Sequence, residues 1–264
     1  MFNMGKPLFG AAFPLLQRKI QTMTRNVLLD NVAHKDLKVR TGYSAEFGDS
    51  INSVMVFPTE FVHVQREYPI LFRKDSSGQI QAFAMLGLDR DENLFLQGNT
   101  WNARYVPAAL ARGPFVIGFR QNEAGETINE MVTHIDLDHP RVSETDGELI
   151  FRSQGGNSPY LERANRMLQL IHRGLGATAP MIAAFEEAGL LEAREIEILL
   201  DDRTKYQVPG FLTISEARLA QLDGAQLQKL NKTGFLHFAL FALASLGNIN
   251  WLIELKNRKR AARA

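Results

Sequence analysis

The stretch from Phe61 to Phe119 constrains the fold more than any other, because it holds the densest apolar and aromatic pattern in the chain. FVHVQREYPILFRK (61–74) reads as a strand that ends at Tyr68-Pro69, although its period also suits a short helix. QIQAFAMLGL (79–88) and NLFLQG (93–98) read as two further strands, and the first is so apolar that both faces are expected to be covered. TWNARYVPAALARGPFVIGF (100–119) adds Trp101, Tyr105, Pro107, Pro114 and Phe115, with a short irregular helix expected around Pro107 and a strand at 115–119. The remaining segments are expected to build onto this sheet.

Composition sets what else the chain can be. Its 264 residues are 45% hydrophobic and 22% charged, ordinary for a globular protein with a sizeable core. There is no cysteine, which excludes disulfides, thiolate nucleophiles and Cys-based zinc sites. Residues 1–22 carry Lys6, Arg18 and Lys19 and no acid, and residues 256–264 carry five bases and no acid. The stretch between, 23–255, then has 22 bases against 29 acids, a net −7. A nucleic-acid-binding body is normally basic, so no nucleic-acid partner is expected. The longest apolar run, FALFALASLG (238–247), falls short of the ~20 residues that span a bilayer, so no membrane span is expected. The N-terminal apolar patch is broken by Pro7 and Pro14, unlike a secretory signal. A cytoplasmic location is expected, with the cell surface as the alternative.

Residues 1–22 lack a clean period and are expected to be an arm outside the fold, with Met23 as the native start. DRDE (89–92) reads as a solvated turn and MVTHIDLDHPRV (131–142) as an alternating strand. SQGGNS (153–158) is the best linker, and after it the period becomes helical. Ser158-Pro159 reads as N-cap and first helical residue, with Leu161, Ala164, Leu168 and Ile171 on one face. Gly174 is expected to end this helix and Gly189 the next. EIEILL (195–200) and KYQVPGFLTI (205–214) form a hairpin, Ser215 caps a short helix, another ends at Gly234, and Phe235–Leu255 is the longest helix. The fold class is α+β, with a mostly antiparallel sheet in the N-terminal half and helices plus a β-hairpin in the C-terminal half. One domain, 23–255, is expected, β-rich over 26–152 and helical over 158–255 around a shared core. A basic tail, 256–264, leaves it.

These pieces resemble the bacterial SapC-like family. The matching text is LLDNVAHKDLKV (28–39), EFVHVQREYPILFRK (60–74), the block AFAMLGL…ENLFLQGNTWNARYVPAALARGPF (82–115), IDLDHPRVS…GELIF (135–151) and GFLTISEARLAQLDGAQLQKLNKTGFL…LASL (210–246). The match runs in order over about 26–255, with one departure at Gly113, where a Tyr commonly precedes the Pro-Phe pair. The family is named from a surface-layer locus, and its members often sit beside genes for TonB-dependent receptors and halogenase-like or cupin-like proteins. The resemblance implies a soluble accessory or binding protein of an envelope system, with no catalytic residues to carry over.

The residues themselves offer two candidate sites. His134-Ile135-Asp136 has the His-x-Asp spacing of an Fe(II) facial triad, for which His172 or His237 would be the distal ligand. The same spacing also describes the wet face of an edge strand, with Asp138 beside them. The other set, Trp101, Arg104, Tyr105, Arg112 and Phe115, combines the rings and guanidiniums that dominate recognition surfaces; the competing account is a core corner. No nucleophile elbow and no phosphate loop is present. The expected function is therefore binding of a protein partner or small ligand without a cofactor, with a homo-oligomer allowed. A metal-dependent enzyme using His134 and Asp136 is the alternative.

Overall fold

The computed structural model describes residues 25–75, 77–122, 127–200 and 204–262. The expected arm 1–22, its start at Met23, and parts of NEAG (122–125) and DDRT (201–204), both expected from sequence to be turns, lie outside the described residues. The fold is α+β, and its sheets are antiparallel throughout the described residues. The chain divides into two compact units, each assembled from segments distant in sequence.

The first unit comprises the chain up to Gly42 together with Ala111–His172. Its main sheet places strand Thr127–Asp136 between Asn26–Leu28 and Phe115–Gln121, with Ile135 opposite both Val27 and Phe115. Phe115, Ile117 and Ile135 are buried on one face of this sheet, and Val116 and His134 are buried on the other. A small ribbon pairs Lys38–Val39 with Val142–Ser143 and Glu148–Leu149. The helical stripe Leu161, Ala164, Leu168 and Ile171 is buried, and the Ser158 hydroxyl accepts from the Leu161 N–H at 3.2 Å, a working N-cap. Gly113 has φ 59°, and a Cβ there would lie 2.6 Å from the Tyr160 hydroxyl oxygen, so both backbone and space favour glycine at this position.

The second unit comprises Tyr43–Leu110 and Arg173–Ala264. Its five-stranded sheet runs Leu191–Leu199, Lys205–Ile214, Ile70–Lys74, Ile80–Met85, Ser53–Met55. Strand Ile80–Met85 is buried on both faces except at Gln81, as its composition predicts. Phe61, Val64 and Tyr68 are fully buried but belong to a helix, Phe61–Val64, and the turn after it rather than to a strand. Their spacing of three and four is the helical period, and Pro58 opens a 3-10 turn just before them. Strand structure begins only after Pro69.

Three expectations about helices change. The helix begun at Pro159 does not stop at Gly174 but runs to Glu187. Gly174 is a contact residue: a Cβ there would overlap Phe57 and lie 2.6 Å from the Thr59 hydroxyl. The apolar segment from Phe235 is two helices, Phe235–Ser245 and Asn248–Ala261, joined at Leu246-Gly247. Together they make a 27-residue stretch long and apolar enough, by length and composition alone, to cross a membrane. Counting only the unbroken run 238–247 misses this, because the helix continues through interspersed polar residues. Finally, the basic segment does not leave the body at Lys256. The Lys256 ammonium is buried, donates to Asp89 and to both Glu92 oxygens at 2.9 and 3.0 Å, and Lys259 reaches Glu92 at 3.0 Å. The turn 89–92 is correspondingly not fully solvated, since Glu92 is only 6% exposed.

Candidate functional site

Within the second unit a cleft of about 560 Å³ is lined by His63, Arg66, Glu67, Asn102, Arg104, Tyr105, Asn248 and Trp251. Its floor is set from below. The Glu60 carboxylate is fully buried and accepts from the Tyr105 hydroxyl (2.7 Å) and the Ala108 N–H (2.9 Å) on one oxygen and from the Phe57 N–H (3.1 Å) on the other. Burial pushes this carboxyl above the usual range, and those three donors oppose the shift. Burial also pushes the Tyr105 phenol far up, reinforced by the charge of Glu60, so the ring donates its proton and keeps it. Tyr68 donates to the Tyr105 carbonyl and receives the Trp101 indole N–H at 2.8 Å. Tyr105 is therefore held at its hydroxyl and at its backbone.

The walls follow from this frame. The His63 ring stacks on Tyr105, 5.2 Å between centroids at 25°. The Arg104 backbone N–H donates to both Glu67 oxygens, 2.9 and 3.0 Å, which fixes the loop and occupies the cleft's one carboxylate. Asn248 donates to the Gln65 carbonyl at 2.9 Å, and Arg258 lies over the Trp251 ring at 5.0 Å. Arg66 and Arg104 are exposed, and among the described residues neither guanidinium is held in an ion pair. The SapC family model matches residues 29–252. The chain belongs to the SapC family. No curated protein matches this SapC-family chain, and no solved structure does.

The five residues singled out from sequence fall into different settings. Arg104 and Tyr105 line the cleft, and Trp101 is buried beside it as a strut. Arg112 and Phe115 belong to the first unit. Phe115 is fully buried, and the Arg112 guanidinium donates to the carbonyls of Phe115 (2.5 Å) and Gly113 (3.4 Å). That pair is part of a packed corner, where burial lowers the affinity of Arg112 for its proton and Asp136 opposes the effect. Sequence reasoning missed His63, Arg66, Glu67, Asn102, Asn248 and Trp251. The first three were hidden by reading 61–68 as a strand, since only a helix and turn turn His63 and Arg66 to one side. Asn248 and Trp251 lie almost 150 residues away, and the chain carries no local signal joining them to Arg104.

The His134 and Asp136 candidate lies in the first unit. Both are on one strand at positions of equal orientation, opposite Leu28 and Asn26. His134 is 4% exposed, and its Nδ1 is buried without a hydrogen-bond partner; burial depresses its pKa and raises that of Asp136. Its ring lies against Gly118, where any Cβ would overlap it. His172 packs on Phe119 at 5.5 Å between centroids. Among the described residues no group of three His, Asp or Glu side chains lies close enough together to hold a metal. His134 therefore reads as a buried packing residue rather than the wet face expected of an edge strand, while Asp138 accepts from the Arg25 N–H at 3.0 Å.

Proposed function

We propose that this SapC-family chain is an accessory binding protein of a bacterial envelope system, and that the cleft around Arg104 recognises a small ligand with a carboxylate or similar anionic group on a planar body. The observation that carries the reading is the pairing, in one cleft, of exposed ring surface with two guanidiniums that are in no ion pair among the described residues. Guanidinium forks match planar anions bidentately, and the rings offer a stacking face. The cleft's one carboxylate, Glu67, accepts from the Arg104 backbone N–H, and its single negative charge stands against two guanidiniums in the lining. The volume suits a small molecule. The envelope association comes from the family resemblance, and a cytoplasmic or surface-held chain serves it equally.

Titration calorimetry with benzoate, against benzyl alcohol as the uncharged match, tests the reading. Benzoate binds and benzyl alcohol binds at least about tenfold more weakly, a difference of ~1.4 kcal/mol. The Arg66→Ala, Arg104→Ala double variant folds with an unchanged melting temperature and loses the preference. Equal binding of the two compounds, or retention of the preference in the double variant, contradicts the proposal.

A further inference from the structure

We infer that the first unit carries a binding site of its own, a cavity of about 420 Å³ that takes an uncharged polyhydroxylated ring, the pyranose of a sugar. The cavity lies wholly within that unit, and its walls come from segments distant in sequence. Strand Asn26–Leu28 runs into a turn whose first residue, Leu29, still bonds the sheet, its N–H donating to the Thr133 carbonyl at 2.9 Å. Val132 and Thr133 belong to the central strand and Arg120 to its neighbour. Leu161 and Asn165 lie one turn apart on the helix begun at Pro159, so they share a face. The segment bridged between Phe151 and Asn157 supplies those two residues and Gly156. The size is that of a small-molecule pocket.

The lining selects the ligand by what its internal hydrogen bonds leave over. Its polar side chains are Asp30, Asn31, Arg120, Thr133, Asn157 and Asn165. The Thr133 hydroxyl donates to Asn165 Oδ1 at 3.0 Å, which orients that amide and leaves its two N–H groups without an acceptor among the described residues. Asn157 is the converse: its Nδ2 donates to Glu162 at 2.7 Å and its Oδ1 remains to accept. Asp30 Oδ1 accepts from the Val32 and Ala33 N–H groups at 2.8 and 2.7 Å, and its Oδ2 has no donor among the described residues. Asn31 is exposed, and its amide bonds nothing among the described residues. The formal charges of the lining cancel, Asp30 against Arg120, and Arg120 is itself paired with Glu130 at 3.1 Å. The cavity therefore favours neither an anion nor a cation, unlike the cleft of the second unit. Apart from Gly156 the rest of the lining is apolar: Leu28, Leu29, Val132, Phe151 and Leu161. A ligand matched to these walls is uncharged, has an apolar face, and carries several groups that each donate and accept. Hydroxyls are such groups, and a pyranose sets them around the rim of a ring whose faces are C–H. A nucleobase presents its donors and acceptors along the edge of one plane, whereas the polar groups here come from a turn, two strands, a bridged segment and a helix. This inference does not rest on the anion reading of the other cleft.

Saturation-transfer NMR on the full chain tests this with the methyl α-pyranosides of glucose, galactose, mannose and N-acetylglucosamine. The controls are cyclohexanol, which keeps a ring and one hydroxyl, and 1-methyluracil, a nucleobase without a sugar. At least one pyranoside should bind saturably and at least about tenfold more tightly than either control, a difference of ~1.4 kcal/mol. Asn165→Asp keeps the size of the side chain and an acceptor for Thr133 but removes both donors, and it should weaken that pyranoside at least tenfold. Asp30→Ala, on an exposed turn, should weaken it too, with the circular dichroism spectrum unchanged. If Asn165→Asp does not fold, Asp30→Ala alone decides. The Arg66→Ala, Arg104→Ala variant should bind the pyranoside as the parent does, which separates failure here from failure of the anion reading. No pyranoside binding, binding no tighter than cyclohexanol, a preference for 1-methyluracil, or affinity untouched by the Asn165 and Asp30 changes would each overturn the inference.

Discussion

Deleting residues 256–264 should destabilise the protein far more than loss of a charged tail suggests. The deletion removes Lys256 and Lys259 and leaves Glu92, 6% exposed, with the N–H groups of Leu88 and Asp89 as its donors among the described residues, at 3.2 and 3.3 Å. Removing one side of a buried ion pair typically costs about 3–5 kcal/mol, because the other charge stays desolvated. Asp89, half exposed, adds little, since a solvent-screened pair contributes at most about 1 kcal/mol. At about 2–4 °C per kcal/mol, the expected fall in melting temperature is roughly 6–20 °C. Differential scanning calorimetry of the chain ending at Leu255 measures it. The control is the pair itself: Lys256→Met with Glu92→Gln should cost less than Lys256→Met alone, since the charges then left without a partner, Asp89 and Lys259, reach solvent. The direction of the pH dependence follows. Burial alone would raise Glu92, but its hydrogen bonds to Lys256 and Lys259 win and hold its pKa below the ordinary value. Its contribution is therefore present above the unfolded pKa of about 4.3 and is lost as pH falls through the lower, folded value. A deletion that shifts the melting temperature by less than about 2 °C would refute the buried-pair reasoning.

Other variants probe the frame of the cleft and the first unit. Glu60→Ala leaves the Tyr105 hydroxyl and the Ala108 and Phe57 N–H groups without their acceptor, and urea unfolding should report a loss of at least about 2 kcal/mol. Gly118→Ala should cost about 1–3 kcal/mol by overlap with the His134 ring, and markedly less in a His134→Ala background, a coupling that a double-mutant cycle reads out. Arg104→Ala should change stability by no more than about 0.5 kcal/mol, whereas Arg112→Ala, which strips a donor from the Phe115 carbonyl, should cost about 1–3 kcal/mol in the same assay.

Where local chemistry decides structure, the chain was readable. The Ser158 and Ser215 caps, the buried stripe Leu161–Ile171 and the 205–214 hairpin strand each follow from side chains within one turn or one strand. The misreadings share a cause in tertiary contact. Gly174 looks like a helix stop until Phe57 and Thr59 are found against it. Lys256 looks like part of a solvated run until Glu92, 164 residues away, is found beside it. Arg104 and Tyr105 were visible as a cluster, but their neighbours at 248–251 are brought in by the fold alone. Arg112 and Phe115 shared that cluster in sequence only, because the boundary between the two units falls at Leu110-Ala111.

The central claim, anion recognition by the cleft, is tested most directly by mapping amide chemical shifts while benzoate is added to isotope-labelled protein. The account predicts saturable changes concentrated at His63, Arg66, Asn102, Arg104, Tyr105, Asn248 and Trp251, absent with benzyl alcohol and absent in the Arg66→Ala, Arg104→Ala variant. Changes spread evenly over the chain, or centred away from these residues, would contradict it.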